Sequence, residues 1–146
     1  MLAIASDHGG FALKQEIMAH LKDSGVEFED LGTYSEESVD YPVYAHKLGK
    51  AVAAGEYERG ILICGTGIGI SIAANKIDGI RCALCTDCYS AEMSRRHNNA
   101  NVLAMGGRTM GVELAKRIVD IFLTTEFEGG RHQRRVDLIM ALETEQ

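Results

Sequence analysis

GILICGTGIGISIAANK, residues 60–76, decides the fold. Gly60–Cys64 is a continuous apolar run, the pattern of a strand covered on both faces. It passes without a break into a glycine-rich turn, and the turn enters a helix. A strand, a tight turn and a helix in that order form half of a βαβ unit. The pattern recurs on both sides of this stretch. Upstream, Leu2–Ser6 forms a short apolar strand ending in DHGG, and FALKQEIMAHLKDSG follows with Leu13, Ile17 and Leu21 at helical spacing and Gly25 as a stop. Residues 26–31 read as a second strand ending at Gly32, the acidic stretch 35–40 as an exposed loop, and Pro42 as the start of a helix running to Ala54. Downstream, the spacing predicts strands over 80–84 and 101–105 and helices over 89–96, 112–123 and 131–142. Strands alternating with helices imply an α/β fold with an open, mostly parallel sheet covered on both faces. In such sheets, sites form beyond the C-terminal ends of the strands. DHGG at 7–10, CGTGIG at 64–69 and RRHNN at 95–99 are therefore expected to meet at that edge.

The chain has 146 residues, which suits one domain spanning 1–146 with its own core. Fifteen basic against twenty-one acidic side chains give a formal net charge of -6. Such a surface repels nucleic acid and anionic membrane, so neither is expected as a partner. A small anionic substrate is compatible with it, because a few arginines and histidines suffice for a local basic pocket. No stretch approaches the ~20 apolar residues of a membrane helix. The opening MLAIASDHGG has no basic leader, and Asp7 and His8 interrupt its apolar run, so a cytoplasmic location is expected. Cysteines at 64, 82, 85 and 88 are expected as free thiols.

The loop Cys64-Gly65-Thr66-Gly67-Ile68-Gly69 is the strongest local signal. Glycines let backbone N–H groups approach an anion closely, and the following helix adds a positive end. The loop lacks the P-loop signature, and its glycines do not complete the dinucleotide pattern. At the end of a buried strand, Cys64 has two readings: an inert thiol filling core volume, or a thiolate that removes a proton or attacks a carbonyl. Asp7 and His8 are either a loop aspartate with local backbone bonds beside a satisfied histidine, or contacts to a sugar hydroxyl and a phosphate. His97, with Asn98 and Asn99, is either a solvated helix end or an acid–base residue with an adjacent amide. Arg131, His132, Arg134 and Arg135 form a basic cluster on a helix. Arg131 and Arg135, four apart, share a side suited to phosphate, with a solvated charged face as the competing reading. Arg108 is a further candidate. Cys82, Cys85 and Cys88 match part of an iron–sulfur spacing but lack its fourth-ligand context, so packing is the preferred reading.

The ordered set DHGGFALK (7–14), ESVDYP (37–42), ILICGTGIG (61–69), CTDCYSAEMSRRHNNANVLAMGGR (85–108) and RHQRRV (131–136) resembles the ribose-5-phosphate isomerase B and galactose-6-phosphate isomerase family over essentially the whole chain. The resemblance implies a Rossmann-like three-layer α/β/α sandwich with no NAD. It implies reversible aldose–ketose isomerisation of ribose 5-phosphate and ribulose 5-phosphate through an enediol(ate), with neither metal nor organic cofactor. By the same resemblance Cys64 is the proton-transfer base, His97 assists sugar-ring opening, and Thr66 adds a hydroxyl. Gly65, Thr66, Gly67, Ile68 and Gly69 supply the loop that stabilises developing charge. Asp7, His8, Asn98, Arg108, Arg131 and Arg135 match substrate- or phosphate-binding positions. Some relatives carry an acidic residue in the glycine loop; here Ile70-Ser71 follows, so only the thiol version fits. Homodimers, sometimes paired into tetramers, with sites near subunit boundaries are implied. Galactose 6-phosphate and allose 6-phosphate are the alternative substrates, and a noncatalytic sugar-phosphate-binding module is the alternative class.

Overall fold

The computed structural model describes residues 1–145. Five strands alternate with helices in the order β1 (Leu2–Ser6), α1 (Phe11–Asp23), β2 (Phe28–Asp30), α2 (Tyr41–Ala53), β3 (Arg59–Cys64), α3 (Ile68–Ala74), β4 (Cys82–Leu84), α4 (Cys88–Arg96), β5 (Val102–Gly106), α5 (Val112–Thr124) and α6 (Arg131–Ala141). Every pairing is parallel and the sheet order is β2-β1-β3-β5-β4. The expectation of a mostly parallel sheet is thus met by a wholly parallel one. The two edge strands are three residues long, shorter than the segments 26–31 and 80–84 expected from pattern. The flanking residues Val26 and Ile80 still pack against the core, so the apolar run outlasts the ladder.

Side-chain alternation along the strands splits the core in two. Leu2, Ile4, Ile61, Ile63, Leu103 and Met105 pack with Ile17, Ala91, Ile118 and Phe122 of α1, α4 and α5. Ala3, Ala5, Leu62, Cys64 and Ala104 pack with Leu48 and Ile70 of α2 and α3. These two cores on either face of the sheet make the three-layer sandwich. The helices divide this way because right-handed crossovers put rightward and leftward connections on opposite faces. β1 connects outward to β2, whereas β3 connects outward in the other direction. The sheet therefore reverses its winding between β1 and β3, and a crevice opens beyond their C-terminal ends. No helix among the described residues is long and apolar enough to cross a membrane.

Candidate active site

The loops after β1, β3 and β5 converge on that crevice. Asp7 is buried, and its Oδ1 accepts the N–H of Gly10 at 3.1 Å, capping a single 3-10 turn over His8–Gly10. His8 is fixed from the acidic loop: the N–H of Val39 donates to its Nδ1 at 3.1 Å. With Nδ1 an acceptor, neutral His8 carries its proton on Nε2 and presents a donor. Cys64 ends β3 at 4% exposure, and its Sγ accepts the N–H of Gly67 at 3.2 Å. Gly67 has φ 81°, the left-handed conformation that this turn requires, and a Cβ there would lie 2.6 Å from Leu84 and 2.8 Å from the Met105 backbone. Only glycine fits. Thr66 is exposed, and its Oγ1 accepts the N–H of Ile68 at 3.2 Å.

The turn after β5 locks onto this loop. The N–H of Gly107 donates to the carbonyl of Cys64 at 2.8 Å, and that of Arg108 to the carbonyl of Gly65 at 2.9 Å. The Arg108 guanidinium consequently lies over both glycine loops. A Cβ built on Gly65 would sit 3.3 Å from its Nη1, and one on Gly9 3.4 Å from its Cζ. Asp7, His8, Cys64–Gly69 and Arg108 thus form one cluster at the C-terminal edge of the sheet, bringing together a thiol, a histidine donor, an arginine and loop N–H groups. The Tyr41 ring lies against Gly69, where a Cβ would come within 2.6 Å of it. Its place beside the loop was not legible in ESVDYP, because nothing local ties residue 41 to residue 69.

The second group of expected residues is elsewhere, which corrects the expectation that RRHNN shares this edge. α4 runs antiparallel to the strands, from the C-terminal edge back to the N-terminal one, and His97 caps its end. β5 then starts at Val102, opposite Gly60, and climbs to Gly106, opposite Cys64. The four residue steps along β3 from Gly60 to Cys64 alone separate the two edges by about 13 Å. His97 and Asn98 therefore lie at the far edge from Cys64 of the same chain. The α6 cluster joins them there: the His132 and His97 rings stack at 4.1 Å with planes 10° apart. Arg131 and Arg135 on α6 are exposed.

Glu128, which the sequence reading did not single out, completes this second cluster. Its Oε1 lies 3.6 Å from His97 Nε2. The usable signal was EGGRH: Gly129 and Gly130, with φ 69° and 56°, fold Glu128 and His132 back onto one histidine. His97, Glu128 and His132 have side-chain ligand atoms within 4.8 Å of one another. Stacked rings, however, hold their in-plane lone pairs in two separate, nearly parallel planes, whereas a metal requires lone pairs that converge on one point. Burial first, then the neighbouring His97 and Arg131, push the His132 imidazole below its ordinary value. Cys82 packs in the core on one face of the sheet, Cys85 and Cys88 on the other, so the cysteine triplet does not converge. Burial pushes the Cys82 thiol up to about 12 and the Cys85 thiol to about 11.

Comparison with known proteins identifies the family. The sequence profile of the Ribose/Galactose Isomerase family matches residues 2–139. Ribose-5-phosphate isomerase B of Escherichia coli (strain K12) is 58% identical over 142 residues, covering 97% of this chain and 95% of that one. Ribose-5-P isomerase B of Listeria innocua is 46% identical over 138 residues, covering 94% and 93%. Among solved structures, Clostridium thermocellum ribose-5-phosphate isomerase B superposes with a TM-score of 0.97 at 56% identity, over 99% of this chain and 97% of that one. The Mycoplasma genitalium enzyme with bound ribulose-5-phosphate gives 0.94 at 44% identity, over 99% and 97%. A profile match across nearly the whole sequence, on a fold shared at this identity, has one consequence: the chain belongs to the ribose/galactose isomerase family.

Proposed function

We propose that this chain, a single domain throughout, interconverts ribose 5-phosphate and ribulose 5-phosphate, using Cys64 as the base. The observation that carries this reading is the cluster at the C-terminal strand edge, where a strand-end thiol with an N–H donor at its sulfur shares the converging loops with an arginine and a histidine donor. The arginines and His8 hold the phosphate, Asp7 and Asn98 hold sugar hydroxyls, and His97 assists opening of the furanose. Cys64 thiolate removes the proton from C2 of the open-chain aldose, and charge develops on O1. Backbone N–H groups of Gly65–Gly69, with the Thr66 hydroxyl, stabilise that oxygen. A proton passes from O2 to O1, the thiol returns its proton to C1, and the ketose results. Only protons move, so the residues named suffice.

Completeness requires two chains in this reading. His97, Asn98, Arg131 and Arg135 lie at the sheet edge opposite their own Cys64, too far to share a five-carbon substrate with it. A homodimer that apposes one chain's crevice to the partner's His97 cluster gives two equivalent composite sites, as a two-fold interface must. Exposed apolar side chains flank each half and support this pairing: Ile68 and Ile72 on α3, and Leu138 and Ile139 on α6 with Leu142 just past its end. The first test is kcat/KM of the purified chain for ribose 5-phosphate beside galactose 6-phosphate, in chelator-containing buffer. A strong preference for ribose 5-phosphate is expected. A preference for galactose 6-phosphate overturns the substrate while keeping the chemistry; no turnover of either refutes the enzyme reading.

A further inference from the structure

The turn that ends in α6 is built around His97. The N–H of Glu128 donates to the carbonyl of Arg96 at 3.0 Å, fixing the residue to the end of α4 immediately before His97. Gly129 and Gly130 then reverse the chain through two left-handed conformations, and the N–H of His132 closes the turn on the carbonyl of Gly129 at 3.0 Å. The result sets a carboxylate at one edge of the His97 ring and an imidazole flat against its face. A histidine so bracketed cannot swing freely about its side-chain bonds. From this arrangement we infer that Glu128 is a positioning residue for His97: it holds the proton on Nε2 and leaves Nδ1 as the atom that exchanges a proton with the sugar.

The inference rests on the reading of His97 as the ring-opening residue and adds which nitrogen works and what orients it. A carboxylate accepts but does not donate, so Nε2 facing it bears hydrogen whether the ring is neutral or protonated. At 3.6 Å the carboxylate and Nε2 form an ion-pair contact, and the inference requires that contact to close to a hydrogen bond in the reacting complex. Opening the furanose transfers one proton from the anomeric hydroxyl to the ring oxygen as the C1–O bond breaks. One nitrogen with a fixed direction can take that proton from the hydroxyl and deliver it to the ring oxygen. His132 contributes the face: it is buried and stacks flat on the His97 ring, and burial pushes its imidazole below the ordinary value.

The test is 15N NMR of histidine-labelled full-length protein, which distinguishes the two neutral tautomers directly, together with steady-state kinetics. Wild-type His97 is expected as the Nε2–H tautomer at high pH; the Nδ1–H form there overturns the inference without any variant. In Glu128→Ala the preference should be lost and kcat should fall roughly 10- to 100-fold, the range for a displaced catalytic group, with KM little changed. Glu128→Gln, which keeps an acceptor oxygen, should recover the tautomer and most of kcat. Unchanged tautomer and kcat in Glu128→Ala reject the positioning role. His97→Asn separates the two claims: near-normal turnover in that variant refutes the ring-opening reading itself, whereas a large loss there combined with an indifferent Glu128→Ala refutes this inference alone.

Discussion

At the scale of single residues, the structure distinguishes thiols by what surrounds them. Cys64 sits at a strand end where a backbone N–H reaches its sulfur, while Cys82 and Cys85 are held as thiols by burial, at about 12 and 11. Replacing Cys64 by alanine should lower kcat by about 10²- to 10⁴-fold, the range of a lost general base, and leave affinity for a phosphate-bearing inhibitor close to wild type. Near-normal kcat would return Cys64 to the status of core filler. Iodoacetamide at pH 8 should leave Cys82 and Cys85 unmodified in the folded protein, since the thiolate is the reactive form. Labelling of either by mass spectrometry contradicts their environments. Cys64 was legible because an apolar run stops at a cysteine and glycines begin. Glu128 was not, because its meaning depends on His97, thirty-one positions earlier and reached only through the fold.

Elements decide where those residues go. The glycine loop works because Gly67 takes φ 81° with Leu84 and the Met105 backbone pressed against it. Gly67→Ala should therefore cost about 2–4 kcal/mol, the sum of left-handed strain and overpacking, seen as a lower urea midpoint. A midpoint equal to wild type denies the loop's tightness. α6 predicts a pH effect. His132 is depressed in the folded state, by burial first and then by His97 and Arg131. Its contribution to stability is present in full above the ordinary histidine value of ~6.5 and is lost as pH falls through the depressed one. The urea midpoint should accordingly drop between pH 7.5 and pH 5, and drop less in His132→Gln; equal slopes would remove His132 as the cause. The strands and helices were readable from apolar spacing, apart from the short edge strands, where packing continues beyond the ladder. The far-edge placement of RRHNN was available too. A segment that follows a helix and precedes the next parallel strand must lie at the N-terminal edge.

For the whole molecule, the decisive fact is that one chain carries its two clusters on opposite edges of its sheet. One holds the thiol and the glycine loop; the other holds His97, Asn98 and the α6 arginines. In the proposed dimer each site takes Cys64 from one chain and His97 from the other, and this has a consequence that no single-chain site shares. Cys64→Ala and His97→Asn homodimers should each be nearly inactive. Dissociating the two together in equal amounts and letting them reassociate makes about half the pairs mixed, for subunits that associate at random. A mixed pair contains one site with both lesions and one with neither, because the intact Cys64 and the intact His97 now come from different chains and meet. Activity should therefore rise from near zero to about a quarter of wild type. Reassociated wild type controls for recovery, and each variant reassociated alone controls for residual turnover. If both catalytic groups acted within one chain, every site in the mixture would keep one lesion, and the mixture would stay as inactive as its parts. Recovery near a quarter thus requires the catalytic unit to be the pair, whereas no recovery, with mixed pairs verified by mass, would place both groups in one chain and contradict the edge-to-edge separation of the fold.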